Sequence, residues 1–412
     1  MHGGDVYRNK VKYDFSINVN PLGMPQSVRE AAINAICDAE KYPDMSCRKL
    51  SAAVAEKLGC PPQNLVFGNG ASELILAFLR SVCGKDAKTR LQADNQYHPK
   101  KVMLPVPCFT GYEYAINSVN ACIGDISADF FFLPGKTEKN PFCLTDEVLP
   151  AFLERLRAVK PAACIITNPN NPNGKLVERA VLEEIASACE KTGTYLLIDE
   201  CFMELTGKAD DYSFITLLSR YKSTVVLRAF TKTMAIPGLR LGYCVTSCAE
   251  IAESLRKQLP EWNVSAPAQA AGVAAAHENA HIEVAARLIS EERLYLTGEL
   301  RALGFTVFPS DANFLLFYVT DATLIVAQKS GANLFDAMLD GARNSTGAEN
   351  STNSPPNSTC ANLYDALLAE GVLIRDCRDY AGLGEGFYRI AVRTHAENEV
   401  LVSRLRLICG KS

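Results

Sequence analysis

The fold is decided by one stretch of the sequence, Cys164-Ile165-Ile166-Thr167-Asn168-Pro169-Asn170-Asn171-Pro172-Asn173-Gly174, in which a short apolar run leads into a turn of asparagine and proline. Similar short runs end at Leu104, Ile198 and Leu227, and longer helical patterns separate them. Continuous apolar runs of this length are typical of strands that are covered on both faces. The sequence therefore predicts an α/β fold with a mainly parallel sheet, whose ligands bind beyond the carboxyl ends of the strands.

A second, smaller domain is expected after about residue 265, where the residue composition and the pattern of helices and strands change. Beyond that point a long helical stretch rich in Ala, Glu and Arg is followed by strand-like runs around Phe314 and Tyr388. We predict a large domain over residues 45–265 and a small α+β domain formed by residues 1–44 and 266–412.

Residues 343–359 consist mostly of Asn, Ser, Thr, Pro and Gly, and they separate two similar stretches, 332–339 and 361–368. Such a polar segment cannot bury enough apolar surface to offset the entropy lost on ordering it. We predict a local duplication joined by a disordered tether, with the second copy forming a helix of the small domain.

The composition argues against several classes of function. With 42 basic and 46 acidic residues, the chain has a net charge of −4, which gives no electrostatic reason to expect binding to nucleic acid or to a membrane surface. The 15 cysteines are an odd, scattered set, typical of reduced thiols rather than of a disulfide framework. We therefore expect a cytoplasmic protein that acts on small molecules.

The segment His277-Glu278-Asn279-Ala280-His281 matches the HExxH pattern of zinc metalloproteases. A pattern with two free positions arises readily by chance, and this one falls in a helical stretch rich in charged residues. We expect a solvated helix face there and no metal.

Three polar features each follow a predicted strand: Asn171 in the turn, Asp199, and Lys232. An amide, a buried carboxylate and a lysine amine are the groups that pyridoxal phosphate requires near its ring oxygen, ring nitrogen and aldehyde. Arg240 and the backbone N–H groups of the turn Gly68–Ser72, at the start of a helix, would suit its phosphate. The sequence therefore predicts a site for this cofactor.

These motifs, taken in order, resemble the fold-type I aminotransferases of the histidinol-phosphate aminotransferase branch, over nearly the whole chain apart from the insertion. The motifs are Gly68-Asn69-Gly70-Ala71-Ser72, Asn168–Gly174, Asp199-Glu200, Thr231-Lys232 and Gly238-Leu239-Arg240-Leu241-Gly242-Tyr243. The resemblance implies a covalent bond between Lys232 and the aldehyde of pyridoxal 5'-phosphate, with Asp199 at the ring nitrogen and Asn171 at the ring oxygen. The phosphate contacts that it implies are Gly70, Ala71, Ser72, Thr231 and Arg240. It also implies that Phe109 stacks on the ring, and that Tyr42 reaches the phosphate of a neighbouring subunit in a homodimer.

Within this branch the sequence resembles the threonine-phosphate decarboxylases of the cobalamin pathway. That subgroup carries Phe at the position of Phe202, where the aminotransferases usually have a tyrosine. The substrate contacts implied are His2, Gly3, Asn18, Arg375 and Arg389. The expected reaction is decarboxylation of O-phospho-L-threonine, or a close phosphoamino acid, to aminopropanol phosphate. An aminotransferase acting on histidinol phosphate or a related amino acid is the alternative, because the sequence does not show which bond to the α-carbon stands perpendicular to the ring.

Overall fold

The computed structural model of the protein describes residues 3–84, 100–137, 140–320 and 362–410. Its strands are β1 (Tyr13–Asp14), β2 (Leu65–Gly68), β3 (Lys100–Val106), β4 (Ile126–Phe132), β5 (Gly135–Thr137), β6 (Asn140–Pro141), β7 (Ala163–Thr167), β8 (Tyr195–Asp199), β9 (Thr224–Ala229), β10 (Gly242–Val245), β11 (Thr306–Val307), β12 (Phe314–Tyr318), β13 (Val372–Leu373), β14 (Arg375–Asp376) and β15 (Phe387–Ala391).

Its α-helices are α1 (Gln26–Ile36), α2 (Arg48–Leu58), α3 (Ala71–Cys83), α4 (Gly111–Ile123), α5 (Leu149–Val159), α6 (Arg179–Thr192), α7 (Ala209–Tyr212), α8 (Phe230–Thr233), α9 (Ala249–Arg256), α10 (Ala266–Ala275), α11 (Asn279–Ala302), α12 (Leu363–Ala369) and α13 (His395–Ile408). Short 3-10 turns span Pro62–Asn64, Met203–Thr206 and Ile215–Arg220.

A seven-stranded sheet of order β2-β10-β9-β8-β7-β3-β4 forms the centre of the large domain. The strands from β9 to β4 run parallel, and β10 pairs antiparallel with both β9 and β2. The predicted α/β fold with a mainly parallel sheet is therefore confirmed.

The apolar strands of this sheet are covered by side chains on both faces. Along β8, Leu196 and Ile198 belong to one hydrophobic core, and Leu197 belongs to a second core on the other face. Because successive side chains of a strand point to opposite faces, a strand between two cores must be apolar at every position. This explains the continuous runs in the sequence.

A four-stranded antiparallel sheet, β11-β12-β15-β14, lies in the C-terminal part of the chain, and β1 pairs in parallel with β13. Phe15, close to β1, shares a core with Phe317 of β12 and Ile390 of β15. The N-terminal segment is thus packed into the second sheet region. The domain boundaries themselves stay a prediction.

The predicted tether, 343–359, and the first of the two similar stretches, 332–339, lie outside the described residues. The second stretch forms α12, where Leu363 and Leu367 are buried in the same core as Phe317. Asn362 caps this helix, since its side chain accepts a hydrogen bond from the N–H of Asp365. Within the described ranges, no helix is both long enough and apolar enough to cross a membrane.

Candidate active site

The carboxyl ends of the parallel strands open into one cavity. Asn171 lies in the turn after β7, Asp199 is the last residue of β8, and Lys232 lies in α8 directly after β9. All three side chains line this cavity. The structure therefore brings together the three residues that the sequence singled out, as expected for adjacent parallel strands.

Lys232 is an amine in a low-dielectric, positively charged setting. The pKa of this lysine is lowered to about 8, mainly by burial and next by the charge of Arg389. The backbone of α8 is fixed by Asn20, whose N–H donates to Lys232 O at 2.9 Å and whose side-chain Nδ2 donates to Thr233 O at 2.8 Å. Much of the lysine is therefore neutral near pH 8, and its neutral amine can attack a carbonyl group.

Asp199 is buried and receives a hydrogen bond on each carboxylate oxygen. The hydroxyl of Tyr112 donates to Oδ2 at 2.7 Å, and the N–H of Cys201 donates to Oδ1 at 3.0 Å. Burial raises the pKa of Asp199, and the hydrogen bonds from Cys201 and Tyr112 oppose this rise. Sequence reasoning missed Tyr112. No local pattern in the sequence marks this contact, because the two residues are 87 positions apart.

The amide of Asn171 is oriented by its neighbours. Its Oδ1 accepts a hydrogen bond from Arg389 Nη1 and lies 3.4 Å from the hydroxyl of Tyr380. Because a guanidinium can only donate, the oxygen must be the atom that faces Arg389. The NH2 group remains as a donor for a ligand. Tyr380, which the sequence analysis also missed, lines the same cavity.

The cavity is also lined by Ala71 and Ser72 at the start of α3, and by Thr231 and Arg240. Gly70 has a φ of +81°, and a Cβ at this position would lie 2.5 Å from Arg240 Nη2. Glycine thus allows the guanidinium to approach the turn closely. A helix N-terminus next to an arginine is a combination that binds a phosphate group.

Two buried arginines, Arg375 and Arg389, line the cavity together with Gly3 and Asn18. Arg375 Nη2 contacts both carboxylate oxygens of Asp379, at 2.8 and 2.9 Å. Arg389 Nη2 donates to the carbonyl oxygen of Ser16 at 3.0 Å. In the described part of the chain, Arg389 pairs with no carboxylate.

Three other residues that were predicted to belong to the site are not among the described residues that line this cavity. His2 lies outside the described residues. Gly70 adjoins the cavity through Arg240. Tyr42 lies on the surface, 80% exposed, with its ring stacked on Trp262 at a centroid distance of 4.6 Å.

The histidines of the HExxH segment are not arranged as metal ligands with other described side chains. His281 Nε2 lies 3.1 Å from the carbonyl oxygen of Gly23, and Glu278 contacts Ser27. Across the described ranges, no group of three His, Cys, Asp or Glu side chains is placed to hold a metal ion.

Comparison with known proteins identifies the family. The family model described as aminotransferase class I and II matches residues 10–405. The chain belongs to this family. The family predicted from the motifs is therefore confirmed.

One curated relative and two solved structures show which members of the family are similar to this chain. The threonine-phosphate decarboxylase of Salmonella typhimurium is 30% identical over 394 residues, which cover 95% of this chain and 90% of that protein. The structure of the histidinol-phosphate aminotransferase from Clostridium acetobutylicum has a TM-score of 0.75 at 27% identity, covering 97% of this chain and 99% of the other. The histidinol-phosphate aminotransferase from Sinorhizobium meliloti in complex with pyridoxal-5'-phosphate has the same fold, with a TM-score of 0.72 at 19% identity and coverage of 97% and 91%.

Pyridoxal phosphate is the cofactor of this protein, and the cavity fits it. Asn18 Oδ1 and Arg389 Nε are buried and, within the described ranges, have no hydrogen-bond partner, so the wall offers polar atoms to a ligand. The space that a Cβ at Gly70 would fill is used by Arg240, which places a cation beside the N-terminus of α3, a combination that suits a phosphate group. A carboxylate, Asp199, stands among the cavity-lining residues, and a carboxylate is the type of group that pairs with a protonated ring nitrogen.

The lowered pKa of Lys232 makes a prediction about cofactor uptake. Only the neutral amine attacks an aldehyde, so the rate at which apoprotein captures pyridoxal phosphate should rise with pH and reach half of its maximum near pH 8. The rate is measured from the absorbance change on mixing. It is divided by the rate constant of Nα-acetyl-lysine per unit of its neutral amine at the same pH, which cancels the titration of the cofactor without adding that of the reference amine. Lys232→Ala should show no capture. A rate that reaches half of its maximum only near pH 10.5, the ordinary lysine pKa, would show that burial and Arg389 do not lower the pKa of Lys232.

Proposed function

We propose that this protein is a lyase that removes carbon dioxide from O-phospho-L-threonine, or from a close phosphoamino acid, and so supplies aminopropanol phosphate for cobalamin biosynthesis. The observation that carries the proposal is the pair of buried arginines, Arg375 and Arg389, in one cavity. This substrate has two anionic groups, a phosphate and a carboxylate, and guanidinium groups bind both through paired, charge-assisted hydrogen bonds. The similarity to the Salmonella decarboxylase supports the same substrate.

The two arginines differ in how their charge is balanced. Asp379 already neutralises Arg375, whereas Arg389 contacts an amide, a hydroxyl and a carbonyl group. A buried cation without a counter-ion is costly, so Arg389 favours a ligand that brings a negative charge. The further substrate contacts that we propose are His2, Gly3 and Asn18.

Bound pyridoxal phosphate supplies an acceptor for the electron pair that remains when a bond to the substrate's α-carbon breaks. Lys232 releases a proton readily from Nζ because burial and Arg389 disfavour its charged form, so it can deliver that proton to the α-carbon after carbon dioxide leaves. Asp199 favours a proton on the ring nitrogen, and the NH2 group of Asn171 donates to the ring oxygen. Phe109 provides an apolar face, and Gly70, Ala71, Ser72, Thr231 and Arg240 form the proposed phosphate site.

Phe202 supports decarboxylation over transamination. Its ring lines the cavity, packs against Phe314 at 5.1 Å and lies 5.9 Å from Lys232 Nζ. It offers no hydroxyl to the ring oxygen, unlike the tyrosine that aminotransferases of the resembled branch usually carry. Asn171 is then the amide donor that serves this oxygen in our proposal.

An aminotransferase is the second candidate, and the same two arginines favour it. The dicarboxylate 2-oxoglutarate, an amino-group acceptor, also brings two negative charges to a cavity with Arg375 and Arg389. Histidinol phosphate itself has one anionic group, so it uses the two arginines less fully than O-phosphothreonine. The two reactions are separated by their products.

The proposed reaction predicts release of carbon dioxide from O-phospho-L-threonine by the holoenzyme. A parallel assay with histidinol phosphate and 2-oxoglutarate follows glutamate. Lys232→Ala should lose about 100-fold or more of the activity, because it removes the proton donor. Lys257→Ala, on an exposed helix end, is the matched control and should keep wild-type turnover. If glutamate forms and carbon dioxide does not, the protein is an aminotransferase and our assignment is wrong.

We also propose a homodimer in which Tyr42 reaches the cofactor phosphate of the partner subunit. The exposed Tyr42–Trp262 pair is linked to the phosphate end of the cavity, since Asn263 Nδ2 donates to Glu73 Oε2 at 2.7 Å and the same oxygen accepts the N–H of Asn69 at 2.7 Å. An exposed aromatic pair beside the Gly68–Ser72 turn is suited to cross a two-fold interface. The expected location is the cytoplasm, which is supported by the odd, scattered set of 15 cysteines in the sequence.

The dimer predicts complementation between two defective chains. Tyr42→Ala should weaken cofactor binding, and Lys232→Ala should be inactive. When the two chains are co-expressed with different tags, activity should return to about a quarter of the wild-type value, because about half of the dimers are mixed and each holds one complete site. Activity no greater than that of the separate Tyr42→Ala protein would show that Tyr42 does not act across an interface.

A further inference from the structure

We propose that Tyr112 is a positioning residue that fixes two cofactor contacts at once, the carboxylate of Asp199 and the ring of Phe109. The proposal rests on the roles suggested above for those two residues. It concerns how the cofactor is held, so it is independent of whether the substrate loses carbon dioxide or its amino group. Tyr112 itself is fully buried and lines the cavity.

The first argument is the direction of the hydrogen bonds. A tyrosine hydroxyl has one proton, and an ionised carboxylate can only accept, so Tyr112 donates to Asp199 Oδ2 at 2.7 Å. Thr167 Oγ1 lies 3.0 Å from the same hydroxyl and must therefore be the donor to it. The result is a directed series of hydrogen bonds from Thr167 through Tyr112 to Asp199. Thr167 and Asp199 are register partners at the ends of β7 and β8, so the series crosses the sheet edge where the cofactor site lies.

The second argument is the packing of the tyrosine ring. Phe109 meets the ring of Tyr112 edge-on, with a centroid distance of 5.5 Å and an interplanar angle of 88°. A Cβ at Gly111 would lie 2.3 Å from Phe109 Cε1, so the glycine between them allows Phe109 to lie close to the start of α4. The phenol group of Tyr112 thus supports Asp199, and its ring supports Phe109.

These contacts have a defined electrostatic effect. Burial alone raises the pKa of Asp199, and the hydrogen bond from Tyr112 is one of the contacts that lower it. Without this donor, the carboxylate holds a proton more strongly and competes with the ring nitrogen for it. The cofactor is then bound less tightly, and its ring nitrogen is protonated to a smaller extent.

The test compares holoproteins that carry cofactor labelled with 15N in the ring. Tyr112→Phe keeps the ring and removes the hydroxyl. We expect cofactor release from the holoprotein to become about tenfold faster or more, since a hydrogen bond to a charged group is lost. We also expect the 15N resonance to move toward the position of neutral pyridine. Tyr114→Phe is the matched control: this residue lies two positions further along α4 and is 70% exposed, so neither readout should change.

Thr167→Val provides a second variant that leaves Tyr112 in place. It removes only the donor to the tyrosine hydroxyl, so both readouts should change in the same direction as in Tyr112→Phe, by a smaller amount. Wild-type release and a wild-type 15N resonance in either variant would overturn the proposal. Faster release with an unchanged resonance would also overturn it, because Tyr112 would then act on packing alone. If the wild-type protein holds no cofactor at Lys232, the proposed function fails first.

Discussion

The cavity depends on the contacts that the buried guanidinium of Arg389 makes. It contacts Asn171 in the turn after β7, the backbone of Ser16 near the N-terminus and the hydroxyl of Tyr380. Its charge also lowers the pKa of Lys232. One side chain of β15 therefore joins three segments that are far apart in the sequence and helps to keep the reacting amine neutral.

Three buried arginines of this protein are balanced in two different ways. Arg228 is neutralised by Glu200 at 2.9 Å, and Arg375 by Asp379 at 2.8 Å, whereas the described contacts of Arg389 are with neutral groups. Burying a charge costs free energy unless it is paired. The Arg228–Glu200 pair links two strand ends of the large sheet. Arg375 keeps Asp379 as its counter-ion and still lines the cavity, whereas Arg389 lines the cavity with no carboxylate partner among the described residues. This division explains how a chain with a net charge of −4 presents a positive cavity.

The sequence was sufficient to predict the parallel sheet and the convergence of Asn171, Asp199 and Lys232, because strand ends in such a sheet meet at one edge. It could not predict Tyr112 or Tyr380. Their contributions depend on contacts between residues 87 and 209 positions apart, and no local pattern encodes such distances. The individual roles of the site residues, the domain boundaries and the dimer stay predictions, and His2 lies outside the described residues.

We propose that Lys232 is the amine that holds the cofactor. Reduction of the holoenzyme with borohydride, followed by digestion and mass spectrometry, locates the modified lysine. We expect the cofactor to be attached to Lys232, on the peptide that also contains Thr231. Attachment to any other lysine of the chain would contradict it.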